Sequence, residues 1–335
     1  MILKVKFFPD SLLTQETITT NLNSYFKDVV NYSIERICPG NIKNLQVLYR
    51  AAFRKTVSLE FLLQKYDTKF SGAEFIGYIA FAPDRSPAAF YGVLPCLFRL
   101  SGQAILAAQS ADTMTHPDHR RQGLFVRLAQ QTYILAKEYG IELIFGFPNE
   151  HSLAGFVKLN WMFQPEPMKL FKIRANPFPF SKIISSVPFI KDLYIRLLER
   201  KYHVENKGLA FSDDLQDGII KNTGFLNYKK YSKTFFIEID GVPVWIKLDS
   251  TLKIGCVSVS KIQSVGSFIQ KLKKIAIQSG CSQIIFMTRE GTPLFKMLYP
   301  LAQPEDSFPI GFYSTGQQHP DFANVQFEYC DIDIF

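Results

Sequence analysis

An Arg- and Gly-rich turn between an apolar strand and a helix constrains this chain more than any other feature. The turn reads Thr115-His116-Pro117-Asp118-His119-Arg120-Arg121-Gln122-Gly123. Residues 104–113 predict a strand before it, and apolar residues at helical spacing predict a helix after it, which Gly140 ends. The first N–H groups of a helix have no partner within the helix, and the helix dipole is positive there. The turn therefore predicts a phosphate-binding site.

A second strand and helix follow the turn and its helix. Residues 141–147 predict a strand, and Pro148-Asn149 leads from it into a helix over residues 150–159. This order resembles the GNAT superfamily of acyl-CoA-dependent N-acetyltransferases, in which an Arg/Gln-x-x-Gly-x-Gly/Ala turn precedes an Asn-led helix. The residues that carry the resemblance are Arg120 and Gly123 in the first motif, and Asn149, Ser152, Phe156, Asn160 and Trp161 in the second. The stretch Gly146-Phe147-Pro148-Asn149 is similar to a bacterial branch of the superfamily.

The resemblance implies an α+β fold with a mixed sheet, the GNAT fold, and acetyl-CoA as co-substrate without a metal ion. The implied reaction is direct attack of a small-molecule primary amine, such as an amino sugar, on the thioester. The thioester is expected between the strands 104–115 and 141–147. The residues expected to hold the coenzyme are Met114, Thr115, Arg120, Arg121, Gln122, Gly123, Leu124, Phe125, Val126, Asn149, Ser152 and Phe156.

Two positions depart from the family pattern. Phe125 replaces the last small residue of the phosphate motif, so its ring either narrows the pyrophosphate cleft or packs in the core. Phe156 replaces a tyrosine that the family often uses to protonate the leaving thiolate, and a phenyl ring has no proton to give. Either water or another group is then expected to serve.

The general base is not evident from the sequence. Family bases commonly lie nine or eleven residues before the motif arginine, where this chain has Ala111 and Gln109. The candidates near this position are Asp112, Gln109 and His116. Strand alternation turns Asp112 away from Gln109 unless a bulge intervenes, and a histidine in a surface turn often has no catalytic role.

A second pair of carboxylates lies near residue 335. Asp331 and Asp333 share one face of a strand predicted over residues 327–335. This face either closes over the active cleft and binds the amine, or belongs to an edge strand that keeps its charges outward.

The chain divides into four predicted regions. Residues 1–30 are a polar lead-in, 31–175 the acyl-CoA-binding domain, 176–230 a linker with a packing helix, and 231–335 a degenerate GNAT-like domain. Two closely spaced prolines at residues 176–181 mark a boundary. Gly140 and Gly280 align at an offset of 140 residues, which also aligns the strands after them. The phosphate turn is missing from the second copy, so the sequence predicts a tandem fold with one cofactor site.

Composition agrees with a cytoplasmic enzyme. The net charge of +8 suits an anionic coenzyme, and the absence of an arginine-rich tract argues against nucleic acid as a partner. Five widely spaced cysteines predict neither a disulfide framework nor a zinc site. No signal peptide or spanning segment is evident. A basic, apolar helix near residues 189–202 is interpreted as a packing helix, and peripheral membrane contact is the alternative.

Two other classes of protein remain open. A FemAB-like peptidyl transferase also stacks two GNAT-like lobes, but this class generally lacks the pyrophosphate turn seen at Arg120–Gly123. A non-catalytic protein that binds coenzyme A or another ligand is also compatible with Phe156 and with the missing base.

Overall fold

The structure, a computed structural model, describes residues 31–175, 188–204, 216–316 and 321–335. The predicted lead-in over residues 1–30 and the proline-rich boundary at residues 176–181 lie outside the described residues. Within the described ranges the fold is a mixed α+β fold built on two sheets. The fold class predicted from the sequence is therefore confirmed.

The strands predicted over residues 104–113 and 141–147 are present, and the described residues form further strands. Their bounds are β1 Ser33–Arg36, β2 Ile76–Phe81, β3 Pro87–Leu100, β4 Gln103–Thr115, β5 Leu143–Gly146, β6 Met162–Phe163, β7 Lys169–Arg174, β8 Gly218–Ile219, β9 Thr234–Ile239, β10 Val242–Leu248, β11 Leu252–Val257, β12 Gln283–Thr288, β13 Glu305–Asp306 and β14 Gly311–Ser314. The first sheet has the order β1-β2-β3-β4-β5-β14-β6, and β8 pairs with β3. β4 and β5 are parallel, as their connection through a helix requires.

Four helices accompany the first sheet: α1 Leu45–Phe53, α2 Leu59–Tyr66, α3 Leu124–Glu138 and α4 Glu150–Lys158. α3 buries Leu124, Leu128 and Leu135, the apolar residues that predict it. The side chain of Asn149 accepts hydrogen bonds from the N–H groups of His151 and Ser152, which fixes the start of α4.

The second sheet has the order β13-β7-β12-β11-β10-β9, and its half of the chain carries α5 Pro188–Tyr202, α6 Thr223–Tyr228, α7 Val265–Gln278 and α8 Pro293–Leu298. β11, α7 and the parallel strand β12 repeat the order β4, α3 and β5 of the first sheet. This repetition supports the tandem interpretation drawn from the offset of 140 residues.

The two sheets exchange a strand. β7 follows β6 in the chain but pairs with β12 in the second sheet, whereas β14 returns to the first sheet between β5 and β6. In the second sheet β7 pairs with β12, and in the first sheet β14 pairs with β5. The two pairs are equivalent, because each adds an antiparallel strand next to the strand that follows the helical crossover. The predicted boundary at residue 175 therefore does not separate the sheets. One core contains Phe145 of the first sheet, Trp245 of the second and Phe327.

The strand predicted over residues 327–335 is not formed. The segment makes one bridge, between Glu328 and Thr288, and then a 3₁₀ turn at Tyr329–Asp331. The Asp331 carboxylate accepts a hydrogen bond from the Glu328 N–H at 2.7 Å, and this local contact replaces the pairing that a strand needs. We call residues 327–335 the tail. Because the tail is not a strand, Asp331 and Asp333 do not share one strand face.

The basic helix predicted near residues 189–202 is present as α5. Leu198 is buried in the core of the second sheet and Tyr194 packs beside it, whereas Leu193 and Leu197 are exposed. The side of α5 that carries Leu198 thus packs against the second sheet, as the interpretation of a packing helix requires. Among the described residues, no helix is long and apolar enough to cross a membrane.

The tail packs onto a glycine of the second sheet. A Cβ on Gly255 would lie 2.2 Å from the ring of Phe335, so we expect Gly255→Ala to lower the free energy of unfolding by about 1–3 kcal/mol. Gly266→Ala is the matched control, because that helical position has open space and alanine favours a helix. Urea denaturation measures both variants. Equal stability of the two variants would contradict this packing.

Candidate functional site

The turn before α3 has the backbone geometry of an anion site. Gly123 has φ 72°, and no heavy atom lies within 4 Å of the position that a Cβ would take. The N–H of Arg127 donates to the Gly123 carbonyl, so the N–H groups of residues 124–126 precede the first helical hydrogen bond. Arg120 and Arg121 are exposed beside them and add positive charge. The backbone and the charges both fit a pyrophosphate group.

The strands β4 and β5 part next to this turn. Their pairing ends at Gln109 and Phe145, and the next residues are Ser110 and Gly146. A Cβ on Gly146 would lie 3.4 Å from Cβ of Ser110, so the strands are still close at that point. Beyond it, residues 110–113 and 147–149 line one cavity. We call this divergence the fork.

A bulge in β4 directs Asp112 into the cavity. Phe90 pairs with Met114, but Gly92 pairs with Ala111, so two residues of β4 oppose Tyr91 alone. Asp112 itself has φ 52°, in the left-handed region. This is the bulge that strand alternation requires before Asp112 can reach the cleft.

The cavity has a volume of about 1350 Å³ and is lined by residues from both halves of the chain. The predicted site residues among its lining are Asp112, Thr115, Arg120, Arg121, Gln122, Gly123, Leu124, Phe125, Val126, Asn149, Ser152 and Phe156. The structure does not bring Gln109, Met114 or His116 to this lining. Met114 is buried in the core, and the His116 ring lies 3.6 Å from the carboxylate of Asp118.

A buried ion cluster lies at the wall of the cavity. Lys65 Nζ is 2.7 Å from Asp112 Oδ2 and 2.9 Å from Asp333 Oδ2, and the Lys65 side chain is only 3 % exposed. Tyr66 donates a second hydrogen bond to Asp112 Oδ2 at 2.9 Å. Burial lowers the pKa of Lys65, but the two carboxylates outweigh it and raise the pKa well above its usual range. Lys65 is thus positively charged between the two carboxyl groups.

Gln109 holds the tail rather than facing the cavity. In the amide orientation that satisfies both partners, its nitrogen donates to the Asp331 carbonyl and its oxygen accepts from the Asp333 N–H, each at 3.2 Å. Gln109 is thereby a positioning residue for Asp333.

Two lysines of the second half bind the backbone on either side of Asp333. Lys229 donates to the Ile332 carbonyl at 2.8 Å, and Lys247 donates to the Ile334 carbonyl at 2.9 Å. Burial lowers the pKa of Lys229 to about 8 and that of Lys247 to about 7, because little water reaches either ammonium group. The position of Asp333 therefore depends on the second half of the chain.

The two phenylalanines that depart from the family pattern pack against each other. The rings of Phe125 and Phe156 meet edge to face with centroids 5.3 Å apart, and Phe125 also contacts Tyr91. A Cβ on Gly155 would lie 2.4 Å from the Phe125 ring, so that ring occupies the space over a glycine of α4. Phe125 thus packs in the core while it lines the cavity.

The structure brings together three possible metal ligands that the spacing of the cysteines does not predict. Donor atoms of Cys256, Glu328 and Cys330 all lie within 4.8 Å of one another. Lys221 Nζ is 3.2 Å from both Glu328 Oε2 and Asp331 Oδ1, so both carboxyl groups bind one ammonium group. We assign these residues the role of anchoring the tail.

Sequence reasoning missed Lys65 as a site residue. The available signal was its position: Leu62, Lys65 and Tyr66 are the buried residues of α2, so a lysine lies on the apolar side of an amphipathic helix. A buried lysine requires charged partners, but the sequence does not show that they come from β4 and from the tail.

A family model described as Acetyltransferase (GNAT) domain matches residues 35–161. These residues contain the turn, the fork, the bulge and α4. Among the curated proteins no significant match is found.

Solved structures share the fold over most of the chain. A GCN5-related N-acetyltransferase from Kribbella flavida is 9% identical, with a TM-score of 0.54 over 85% of this chain and 72% of its own. A putative acetyltransferase from Pyrococcus horikoshii is 10% identical, with a TM-score of 0.53 over 90% and 94% of the two chains. A GCN5-related glucosamine N-acetyltransferase region of a fungal multi-domain GH3 β-N-acetylglucosaminidase is 9% identical, with a TM-score of 0.53 over 85% and 38%. At these identities the similarity establishes the fold alone.

The ion cluster predicts a large effect of removing Lys65. Lys65→Met leaves Asp112 and Asp333 close together without a counter-ion, and we expect the free energy of unfolding to fall by about 3–5 kcal/mol. Lys69→Met is the matched control: Lys69 also contacts two carboxylates, of Asp67 and Glu74, but its side chain is 67% exposed, so little change is expected. Denaturant unfolding at neutral pH compares the two. Equal losses would contradict the buried ion cluster.

Proposed function

We propose that the protein transfers an acetyl group from coenzyme A to a primary amine, and the match of residues 35–161 to the GNAT acetyltransferase family model supports this proposal. The observation that carries the proposal is that one cavity contains both the anion turn before α3 and the carboxylates of Asp112 and Asp333. The turn suits the donor, and the carboxylates suit the amine.

The residues that would hold coenzyme A come from both sides of the fork. The N–H groups of residues 122–126 and the two arginines of the turn bind the pyrophosphate. The strand backbone near Met114 and Thr115 binds the pantetheine arm. When bound, the coenzyme supplies an activated thioester, and Asn149 and Ser152 complete the wall through the first turn of α4.

Asp112 takes the proton that the attacking amine must lose. It lies at the bulge, next to the fork, and both Lys65 and Tyr66 bind its Oδ2, so we assign Oδ1 to the amine. Asp333 of the tail accepts a hydrogen bond from the neutral amine and orients it for attack. His116 has no role in this scheme, and Gln109 acts through the tail.

The acceptor we propose is an amino sugar or a similar small amine. The cavity wall near the ion cluster is aromatic, with Tyr49, Phe53, Phe61 and Tyr231, and such rings pack against the apolar faces of sugars. The fold similarity to the glucosamine N-acetyltransferase region supports the same class. Dependence on acyl-CoA favours the cytoplasm.

Binding of the donor is tested at Gly123. Gly123→Glu puts a carboxylate where the pyrophosphate belongs, and we expect calorimetry to show no binding of acetyl-CoA at concentrations that saturate the unaltered protein. Gly140→Glu is the matched control, because Gly140 has φ 75° and open space at the opposite end of α3. This control is expected to bind normally. Normal binding by Gly123→Glu, or none by the unaltered protein, would refute the donor site.

The two carboxylates are tested by steady-state kinetics. Thiol release is followed with acetyl-CoA and a panel of primary amines that includes glucosamine. Asp112→Asn is expected to lower kcat by about 10²–10⁴-fold, the usual effect of losing a general base. Asp333→Asn is expected mainly to raise KM for the amine, and Asp240→Asn, at an exposed ion pair with Lys271, serves as the control. Unchanged kcat in Asp112→Asn would refute its role as the base, and thiol release with no amine of the panel would favour a non-catalytic binding protein.

A further inference from the structure

Ser110 lies at the apex of the fork and belongs to the cavity wall. It is the first residue of β4 beyond the last pair with β5, and it is 8% exposed. On the proposed function, the reacting end of the coenzyme lies between β4 and β5. Asp112 lines the same cavity from the face of β4 that carries Gln109 and the tail, whereas the Ser110 hydroxyl lies on the other face, beside Tyr91.

The Ser110 hydroxyl begins a buried chain of polar groups. Ser110 Oγ donates to the Tyr91 hydroxyl at 2.8 Å, and the Tyr91 and Tyr133 hydroxyls lie 2.9 Å apart. Trp161 Nε1 donates to the Tyr133 hydroxyl at 2.8 Å, and this buried indole is the last group of the series. An indole N–H only donates, whereas each hydroxyl can both donate and accept. These hydrogen bonds hold the Ser110 oxygen in place, while the hydroxyl proton of Ser110 can rotate about its C–O bond.

These hydrogen-bonded groups lie beside the ring of Phe156, which lacks a hydroxyl group. Tyr91 and Phe156 have ring centroids 6.4 Å apart, and Phe156 also lines the cavity. Tyr91 cannot serve directly, because it is fully buried and burial raises the pKa of its phenol. Of these four hydrogen-bonded residues, Ser110 is the one on the cavity wall.

We propose that Ser110 donates a hydrogen bond to the sulfur of the leaving thiolate and thereby replaces the missing hydroxyl of Phe156. This inference rests on the proposed function. The N–C bond of the amide forms, the C–S bond breaks, and the amine proton passes to Asp112. The electron pair stays on sulfur, and the Ser110 proton turns from Tyr91 toward that charge without leaving its oxygen. Tyr91 is a positioning residue.

The thiol pKa of bound coenzyme A tests this role without a turnover assay. Coenzyme A carrying ¹³C next to the sulfur is bound to the protein, and the NMR shift of that carbon is followed against pH. A hydrogen bond to the thiolate stabilises the charged form and lowers the thiol pKa. We expect Ser110→Ala to raise the pKa of the bound thiol by about one to two units, the size of a hydrogen bond to a charged group.

A control variant, Ser232→Ala, and a second variant at the same position, Ser110→Cys, accompany the measurement of the thiol pKa. Ser232→Ala removes a hydroxyl that is also 8% exposed and on the cavity wall but binds the Lys229 carbonyl, so the thiol pKa should stay unchanged. Ser110→Cys keeps the size of the side chain with a weak donor, and it should raise the thiol pKa even where the alanine variant does not fold. An unchanged thiol pKa in a folded Ser110 variant overturns the proposal. Failure of the unaltered protein to bind coenzyme A instead refutes the proposed function.

Discussion

The ion cluster at Lys65 is the interaction on which the site depends. A buried ammonium group is stable only with partners, and this one draws a carboxylate from the bulge of β4 and another from the tail. Neither aspartate would lie beside the other without it, because two buried like charges repel each other. The cluster therefore joins α2, β4 and residue 333 at the wall of the cavity.

The exchange of strands explains why the tail is available for this contact. β14 enters the first sheet from the second half of the chain, and apolar residues of 321–335 pack in the core that the two sheets share. Phe327 and Phe335 are fully buried at the two ends of the tail, and Lys229 and Lys247 hold the backbone beside Asp333. A second half without an anion turn thus contributes to the site through its lysines and the tail. Loss of the phosphate turn there is compatible with this supporting role.

Much of the first half could be predicted from the sequence, because its signals are local. The Gly-rich turn, the cap at Asn149 and the stop at Gly140 each depend on a few neighbouring residues, and the structure has each helix end within two residues of its predicted place. The sequence does not show the bulge at Asp112, since register depends on the pairing with β3. The contacts of Lys65 span 47 and 268 residues, so no local pattern shows them. The alternating residues of the tail predict a strand. The hydrogen bond between the Glu328 N–H and the Asp331 carboxylate instead stabilises a turn there.

A crystal structure of the protein with coenzyme A tests the central claim most directly, namely that one cavity orders donor and amine along the fork. We expect the pyrophosphate on the N–H groups of residues 122–126, and the sulfur between Ser110 and Asp112. A coenzyme bound outside this cavity, or one whose sulfur points away from the fork, would contradict it.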